Sequence, residues 1–239
     1  MKVINADNFR SFAYSSENIV SRPIKGVFVF FFGLGGMDIY KEDIGFGKVL
    51  ASDGILCIVP YYNPWSWMNR QAVDFTDELL DAAFEKYDLS VDTPVVYAGG
   101  SMGGLSALVY TTYAKRVPAA CVASCPVCDL PYHYTERPDL PRTLYSAFGT
   151  YPGTLEDAMK TASPLHLFDK MPESTKYTIF HCGDDHAVNI KKHSERFVEV
   201  LSQHHNVTFH IVPDRDHCDL TEEAWDKFYD CVREAVRNG

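Results

Sequence analysis

A glycine-rich turn between an apolar stretch and a helical one is the segment that most restricts the fold of this chain. Residues 94–98 read PVVYA and residues 99–104 read GGSMGG. A chain that passes so tightly from strand to helix needs glycine wherever a side chain would collide. Ser101 is the centre of a G-x-S-x-G pattern, which presents a nucleophilic hydroxyl when a strand precedes it and a helix follows it. The segment therefore predicts a strand–turn–helix unit with Ser101 at its apex; an incidental serine in a turn is the alternative.

Short apolar runs along the chain predict the strands of one sheet. They are nearly continuous rather than alternating, which is typical of strands buried on both faces of a parallel sheet. Helical patterns fall between them, so right-handed crossovers and a doubly wound α/β sheet are expected. The predicted strands are 27–32, 55–60, 95–98, 119–124, 177–182 and 207–212, and the predicted helices lie within 70–87, 191–203 and 225–236. The first 25 residues are ambiguous and are expected to hold one or two antiparallel edge strands, around 9–14 and 19–21.

One segment, residues 129–165, interrupts this alternation and is rich in proline and tyrosine. Long insertions in compact domains usually serve as lids or binding loops. We therefore expect a single domain over residues 1–239 with a small cap at 129–165. A surface excursion with its own small core is the alternative.

Composition limits the classes of protein to which the chain can belong. With 239 residues, of which 46% are hydrophobic, it can bury a core. A net charge of −10 disfavours binding to nucleic acid or to an anionic membrane. The N-terminal residues lack the apolar core of a signal peptide, and the longest apolar run is too short to span a membrane. The seven cysteines fit reduced thiols in a cytoplasmic protein, and a homodimer is left open.

Two later segments supply the partners that a serine nucleophile needs, a general base and an acid that orients it. Asp184 and Asp185 follow one predicted strand, and His217 follows the next. Open α/β sheets form their sites at the carboxyl ends of the strands. We therefore expect Ser101, one of these aspartates and His217 to meet there, with His186 as the rival base.

Backbone N–H groups that bind an oxyanion are expected from two turns. One donor is Met102, immediately after the serine. The other should come from the turn at residues 32–36, where glycines allow a substrate carbonyl to approach closely. We assign this second donor to Leu34, with Gly35 as the alternative.

Three of these segments resemble motifs of the α/β-hydrolase superfamily. Residues 32–36 (FGLGG) resemble its H-G-x-G-G oxyanion loop, and residues 99–103 resemble its nucleophile elbow. Residues 183–188 (GDDHAV) resemble its acid loop, in which the aspartate three residues before the valine is usually catalytic. The resemblance thus implies that Asp185 rather than Asp184 is the acid.

The resemblance covers residues 26–237 and includes two departures. Asp216 and His217 stand where the superfamily has Gly-His, and Phe32 stands where it has histidine. The Ser-Pro pair at 163–164 resembles the prolyl oligopeptidase branch and its small single-domain esterase relatives.

The resemblance implies a serine hydrolase of the α/β-hydrolase fold, with a mostly parallel sheet and helices on both faces. The expected reaction is cleavage of a small-molecule carboxylic ester through an acyl-enzyme, with the triad Ser101, Asp185 and His217. No metal and no organic cofactor is expected. A small-peptide or acyl-amino hydrolase with the same triad is one alternative, and a non-catalytic binding protein on the same fold is another.

Aromatic residues near the strand ends predict the substrate pocket. Trp65 and Trp67 follow a predicted strand, and His133 lies in the cap segment. With Gly35, these residues are expected to contact substrate. Such a pocket favours neutral or aromatic acyl groups over anionic ones, because a buried charge needs a partner.

A C-x-x-C pair, Cys125 and Cys128, also follows a predicted strand. It is open to three interpretations: a redox pair, half of a metal site, or two thiols in a turn near the active site. Because the chain has no second C-x-x-C, a zinc site of that kind is not expected.

Overall fold

A computed structural model describes residues 3–36 and 38–239, and these residues form one seven-stranded sheet. The spatial order is β1-β3-β2-β4-β5-β6-β7, with β1 antiparallel to β3 and all other neighbours parallel. The six predicted apolar runs are the six parallel strands. The strands are β1 (Ala13–Ser15), β2 (Gly26–Phe31), β3 (Ile55–Pro60), β4 (Val95–Gly100), β5 (Ala120–Ser124), β6 (Lys176–Cys182) and β7 (Val207–Val212).

Helices separate the strands along the chain. Among the described residues they are α1 (Gly45–Ala51), α2 (Arg70–Lys86), α3 (Met102–Tyr113), α4 (Leu130–Glu136), α5 (Leu140–Phe148), α6 (Leu155–Lys160), α7 (Pro164–Leu167), α8 (Ser194–Leu201) and α9 (Glu222–Asn238). Short 3-10 turns cover Phe9–Ser11 and Phe168–Lys170. No helix within these described residues is both long enough and apolar enough to cross a bilayer.

The sheet separates two hydrophobic cores, which explains why its strands read as unbroken apolar runs. In β2, Val27, Val29 and Phe31 belong to the core that also contains α2, α3 and α8. Phe28 points the other way and joins the core that contains α1 and α9. Because successive side chains of a strand point to opposite faces, a strand covered on both sides needs apolar residues at nearly every position. The expected doubly wound α/β-hydrolase architecture is confirmed.

The N-terminal region holds one of the two possible edge strands. This strand, β1, pairs with β3, beginning with Ala13 opposite Pro60. Residues 19–21 do not form a second strand, because the N–H groups of Ile19 and Val20 both donate to the Ser16 carbonyl and close a turn. Helix α1, which reads GFGKVLA, was not predicted, since two glycines in its first turn weaken the helical signal.

The cap segment, residues 129–165, is mainly helical and contains α4, α5, α6 and the start of α7. Its buried side chains, among them Leu130, Leu144 and Phe148, belong to the same core cluster as α2 and α3. At its base, Glu136 accepts hydrogen bonds from His133 and from His193, which directly precedes α8. The segment is therefore fastened to the body of the protein through a buried polar contact as well as through its apolar face.

The contact between α3 and β2 leaves no room for a side chain at Gly103. A Cβ added there would overlap the backbone carbonyl of Phe31, which cannot move without distorting the strand. We expect Gly103→Ala to lower the free energy of unfolding by about 1–3 kcal/mol or more, the usual cost of overpacking. Urea denaturation measures this. Gly45→Ala is the control, because a Cβ there meets nothing within 4 Å, and an equal loss in both variants would contradict the expectation.

Candidate active site

Ser101 occupies the turn between β4 and α3. Its φ of 58° and ψ of −125° are unusual for a residue with a side chain. Such strain, of about 1–3 kcal/mol, is found where a structure holds a residue for function. The Ser101 N–H donates to the Ser124 carbonyl at 2.9 Å, and the Ser101 carbonyl accepts from the Leu105 N–H at 3.1 Å. The turn thus has the strand-to-helix geometry that the G-x-S-x-G pattern predicts.

Asp185 and His217 form a hydrogen-bonded pair at the carboxyl ends of β6 and β7. The His217 Nδ1 lies 2.7 Å from Asp185 Oδ2, and the side chain of Asp185 is fully buried. The other carboxylate oxygen accepts the N–H groups of Ala187 at 2.9 Å and Val188 at 2.8 Å. Burial alone would raise the pKa of Asp185, but hydrogen bonds from His181, His217 and the Val188 N–H hold it well below its usual range. The carboxylate is therefore ionised and fixed in orientation.

The imidazole of His217 is stabilised in its protonated form. Burial lowers its pKa, but the interactions with Asp185 and Cys125 outweigh burial and raise the pKa to about 9. The same interactions would stabilise the imidazolium that forms when His217 accepts a proton, whereas the neutral imidazole that acts as a base is the minor form below about pH 9. The side chain is 24% exposed, so a substrate can reach it.

Cys218 connects the base loop to the elbow. Its thiol lies 3.8 Å from His217 Nε2 and would lie 3.3 Å from a Cβ placed on Gly100, the residue before Ser101. Within the described part of the chain, the Ser101 hydroxyl makes no hydrogen bond to His217. In enzymes without substrate this bond is often long and tightens only in the Michaelis complex.

The rival assignments lie away from this pair. Asp184 is exposed, and its backbone N–H donates to the Arg215 carbonyl. The side chain of His186 is 82% exposed, and its Nδ1 lies 3.3 Å from Asp216 rather than from Asp185. Asp216 Oδ1 accepts the N–H groups of His186 at 3.0 Å and of His217 at 2.7 Å. The aspartate that replaces glycine thus links the acid loop to the base loop.

The two predicted oxyanion donors differ from Gly35 in their backbone hydrogen bonds. Gly35 N–H donates to the Pro64 carbonyl at 3.1 Å and is therefore occupied. The Leu34 and Met102 N–H groups donate to no backbone carbonyl among the described loop residues, and Met102 is the first residue of α3, where the helix leaves N–H groups free. A Cβ placed on Gly33 would lie 3.7 Å from the Cβ of Ser101, so this loop passes directly beside the serine.

A cleft of about 800 Å³ opens beside the oxyanion loop. The loop and the residues after β3 form one wall, and the cap segment forms the other. The lining residues are Leu34, Gly35, Asn63, Trp65, Arg137, Pro138, Asp139, Arg142, Thr143 and Ser146. Gly35 and Trp65 were predicted to contact substrate, and both lie in this cleft.

Trp67 and His133 do not line this cleft, contrary to the prediction from sequence. Trp67 is 1% exposed and donates its indole N–H to Thr143 at 3.1 Å. His133 is 2% exposed, and its ring packs against Trp67 and against His193. Both side chains hold the cap segment to the core. Sequence alone does not separate Trp65 from Trp67, since neither the left-handed backbone of Trp67 nor its hydrogen bond to Thr143 can be read from the pattern.

The charge of the cleft also differs from the expectation of a neutral aromatic pocket. Arg137 and Arg142 both line it. Arg137 pairs with Asp139, with nitrogen–oxygen distances of 2.6 and 3.1 Å. Arg142 is exposed and forms no ion pair with the described residues. Sequence reasoning missed these residues as cleft residues because only the folding of α5 onto the oxyanion loop brings them there.

Comparison with known proteins places this chain in a family. The family model of the prolyl oligopeptidase family matches residues 67–230. The chain belongs to the prolyl oligopeptidase family. The predicted resemblance is thereby confirmed, and its class is a serine hydrolase of the α/β-hydrolase fold. A comparison with curated proteins gave no match.

Solved structures similar to this family member share its fold at low sequence identity. A lipase in its open form has a TM-score of 0.70 at 14% identity, with 94% of this chain and 93% of the lipase covered. Est1E from Butyrivibrio proteoclasticus has a TM-score of 0.60 at 17% identity, with 94% and 90% covered. The acylaminoacyl peptidase of Pyrococcus horikoshii has a TM-score of 0.68 at 13% identity, and 94% of this chain corresponds to only 41% of that peptidase. The chain therefore spans less than half the length of this peptidase.

The two neighbouring aspartates provide a matched test of the acid. Asp185 holds His217 Nδ1, whereas Asp184 is exposed. We expect Asp185→Asn to lower kcat for ester hydrolysis by roughly 10³- to 10⁴-fold, because the imidazole loses the partner that fixes its tautomer. Asp184→Asn should leave turnover nearly unchanged. Steady-state kinetics of the two variants test this assignment. A larger loss of kcat in Asp184→Asn than in Asp185→Asn would assign the role of the acid to Asp184.

Proposed function

We propose that this protein hydrolyses carboxylic esters of small molecules through an acyl-enzyme on Ser101. The observation that carries the proposal is the buried Asp185–His217 hydrogen bond of 2.7 Å. Its loops come close to the strained serine turn, because the Cys218 thiol would lie 3.3 Å from a Cβ placed on Gly100, the residue before Ser101. A buried acid that fixes a base next to a strained serine is the arrangement used for acyl transfer.

In the proposed reaction, Ser101 Oγ attacks the ester carbonyl and passes its proton to His217 Nε2. The negative charge that develops on the carbonyl oxygen is bound by the N–H groups of Leu34 and Met102. His217 then returns the proton to the leaving alcohol as the acyl–oxygen bond breaks. Water repeats these steps on the acyl-enzyme and releases the acid. Asp185 keeps its charge throughout and stabilises the imidazolium.

An acyl-amino or small-peptide hydrolase with the same residues is the second candidate. The family name and the fold shared with an acylaminoacyl peptidase favour it. An amide leaving group needs more assistance from the acid than an alcohol does. Matched esters and anilides with one acyl group therefore separate the two candidates. Higher kcat/KM on the anilides than on the esters would favour the peptidase.

Ser101→Ala tests the nucleophile directly. We expect the variant to keep its fold and to lose roughly 10⁴-fold or more of its ester turnover, since triad residues act as a unit. A fluorophosphonate should label wild-type protein at Ser101 and fail to label the variant, as mass spectrometry of the labelled peptide would show. A fully active variant, or a wild-type protein that no fluorophosphonate labels, would favour a different nucleophile or the non-catalytic binding protein.

Arg142 tests the substrate class. Because its guanidinium lines the cleft without an ion-pair partner among the described residues, we expect esters with a carboxylate on the acyl group to bind better than neutral analogues. Arg142→Gln should raise KM for the anionic ester by roughly two- to fivefold, the size of an exposed ion pair worth about 0.4–1 kcal/mol. The KM of a neutral isostere should rise less.

The control for this test is Arg70→Gln, which removes an exposed arginine that pairs with Asp74 on α2, outside this cleft. It should change neither KM. If Arg142→Gln raises both KM values equally, the arginine contributes to packing of the cleft rather than to charge recognition.

A further inference from the structure

Two thiols stand beside the imidazole of His217. Among the described residues, Cys125, His217 and Cys218 each offer one ligand atom, and these three atoms all lie within 4.8 Å of one another. The distance from His217 Nε2 to Cys218 Sγ is 3.8 Å. We propose that Cys125, Cys218 and His217 form a binding site for a thiophilic divalent cation such as Zn²⁺, and that the bound cation inhibits the enzyme. Cys and His are the ligands that Zn²⁺ prefers.

The imidazole is already oriented as a metal ligand. Its Nδ1 is hydrogen-bonded to the buried carboxylate of Asp185 at 2.7 Å, which leaves Nε2 facing the thiols. Histidine ligands of metals almost always donate their other ring N–H to a carboxylate or carbonyl, because this fixes the tautomer and makes the ligand more basic. The acid that serves the proposed catalysis would thus serve cation binding as well.

The sulfur of Cys125 accepts hydrogen bonds from the backbone. Its Sγ accepts two backbone N–H groups, from Cys182 and from Cys218, each at 3.4 Å. Hydrogen bonds to sulfur stabilise a thiolate and are common around cysteines that bind metals.

The backbone at both cysteines is constrained. Cys125 has a φ of 44° and Cys218 a φ of 58°, in the left-handed region that residues with side chains seldom adopt. The fold therefore holds the two sulfurs together at some conformational cost. A pairing of Cys125 with Cys128 does not explain the constrained backbone at Cys125, since the Cys128 thiol donates to the Pro126 carbonyl instead.

The site is accessible from solvent on one side. His217 and Cys218 are partly exposed, and Cys125 lies buried behind them. Three protein ligands leave a fourth position of a tetrahedral cation for water or another ligand. Binding of M²⁺ displaces one proton from each thiol and, where the imidazole is protonated, the proton on His217 Nε2. Two or three protons therefore pass to the buffer as two Sγ–metal bonds and one Nε2–metal bond form.

The experiment measures binding first, on the reduced full-length protein freed of metal by a chelator. Co²⁺ added to the protein should give thiolate-to-cobalt charge-transfer absorption that saturates at one ion per chain. Zn²⁺ should abolish that absorption and should compete with a chromophoric chelator. Cys218→Ser should weaken Zn²⁺ binding by roughly 100-fold or more, since even outer partners of a metal site are worth 10- to 100-fold.

Two variants complete the binding test. Cys125→Ser should also weaken binding, and circular dichroism checks that it folds. Cys231→Ser is the matched control, because that thiol is partly exposed on α9 and does not belong to this cluster. Three results would each overturn the proposal. The first is that Co²⁺ gives no thiolate absorption, and the second is that Cys218→Ser binds Zn²⁺ as tightly as the wild type. The third is that Cys231→Ser loses as much Zn²⁺ affinity as Cys218→Ser.

Inhibition is the second readout and rests on the proposed function. Zn²⁺ should inhibit ester hydrolysis with the same apparent Kd as it binds, and a chelator should restore activity. Inhibition should be weakened in Cys218→Ser and retained in Cys231→Ser. Because the absorption titration needs no turnover, a failure of the ester assay alone would refute the proposed function and leave the cation site standing. Binding without inhibition would overturn the inhibitory part of the proposal.

Discussion

The contact between the first turn of α3 and the end of β2 is the constraint on which the active-site geometry depends. Gly103 lies against the carbonyl of Phe31, and a Cβ on Gly99 would overlap the Gly103 carbonyl. This close packing forces the chain to reverse within a few residues, and the strained backbone of Ser101 is the result. The same contact places the oxyanion loop beside the serine, since Gly33 lies only two residues beyond the end of β2.

The parts of the fold that local pattern determines could be predicted from the sequence. The six parallel strands were found because burial on both faces leaves an unbroken apolar run, as in β3, where every residue is buried. The positions of Ser101, Asp185 and His217 at strand ends followed from the topology of such a sheet. A short edge strand carries little of this signal, so the sequence left open whether the N-terminal region holds one edge strand or two.

The parts that depend on contacts between distant segments could not be predicted. Whether Trp65 or Trp67 faces the cleft depends on one backbone conformation and on Thr143, which is far away in the sequence. His133 looked like a cap residue free to meet substrate, yet it is buried between Trp67 and His193. Cys125 and Cys218 likewise come together only because β5 and the loop after β7 converge. Their spacing in the sequence does not indicate this.

The anchoring of the cap segment at Glu136 has a consequence for how this protein can diversify. Glu136 bonds with His133, with His193 and with the Asn189 N–H, and hydrogen bonds to the two histidines lower its pKa, against the effect of burial, to about 2. The cleft wall that carries Arg137 and Arg142 begins immediately beyond this charged anchor. A substitution at an exposed cleft position of α5 such as Arg142 would therefore change the lining of the cleft without altering any residue that contacts the Asp185 carboxylate. The cleft wall with Arg137 and Arg142 and the loop with Asp185 are thus separate stretches of the chain that meet at one anchor, so the lining of the cleft can be altered independently of the Asp185–His217 pair.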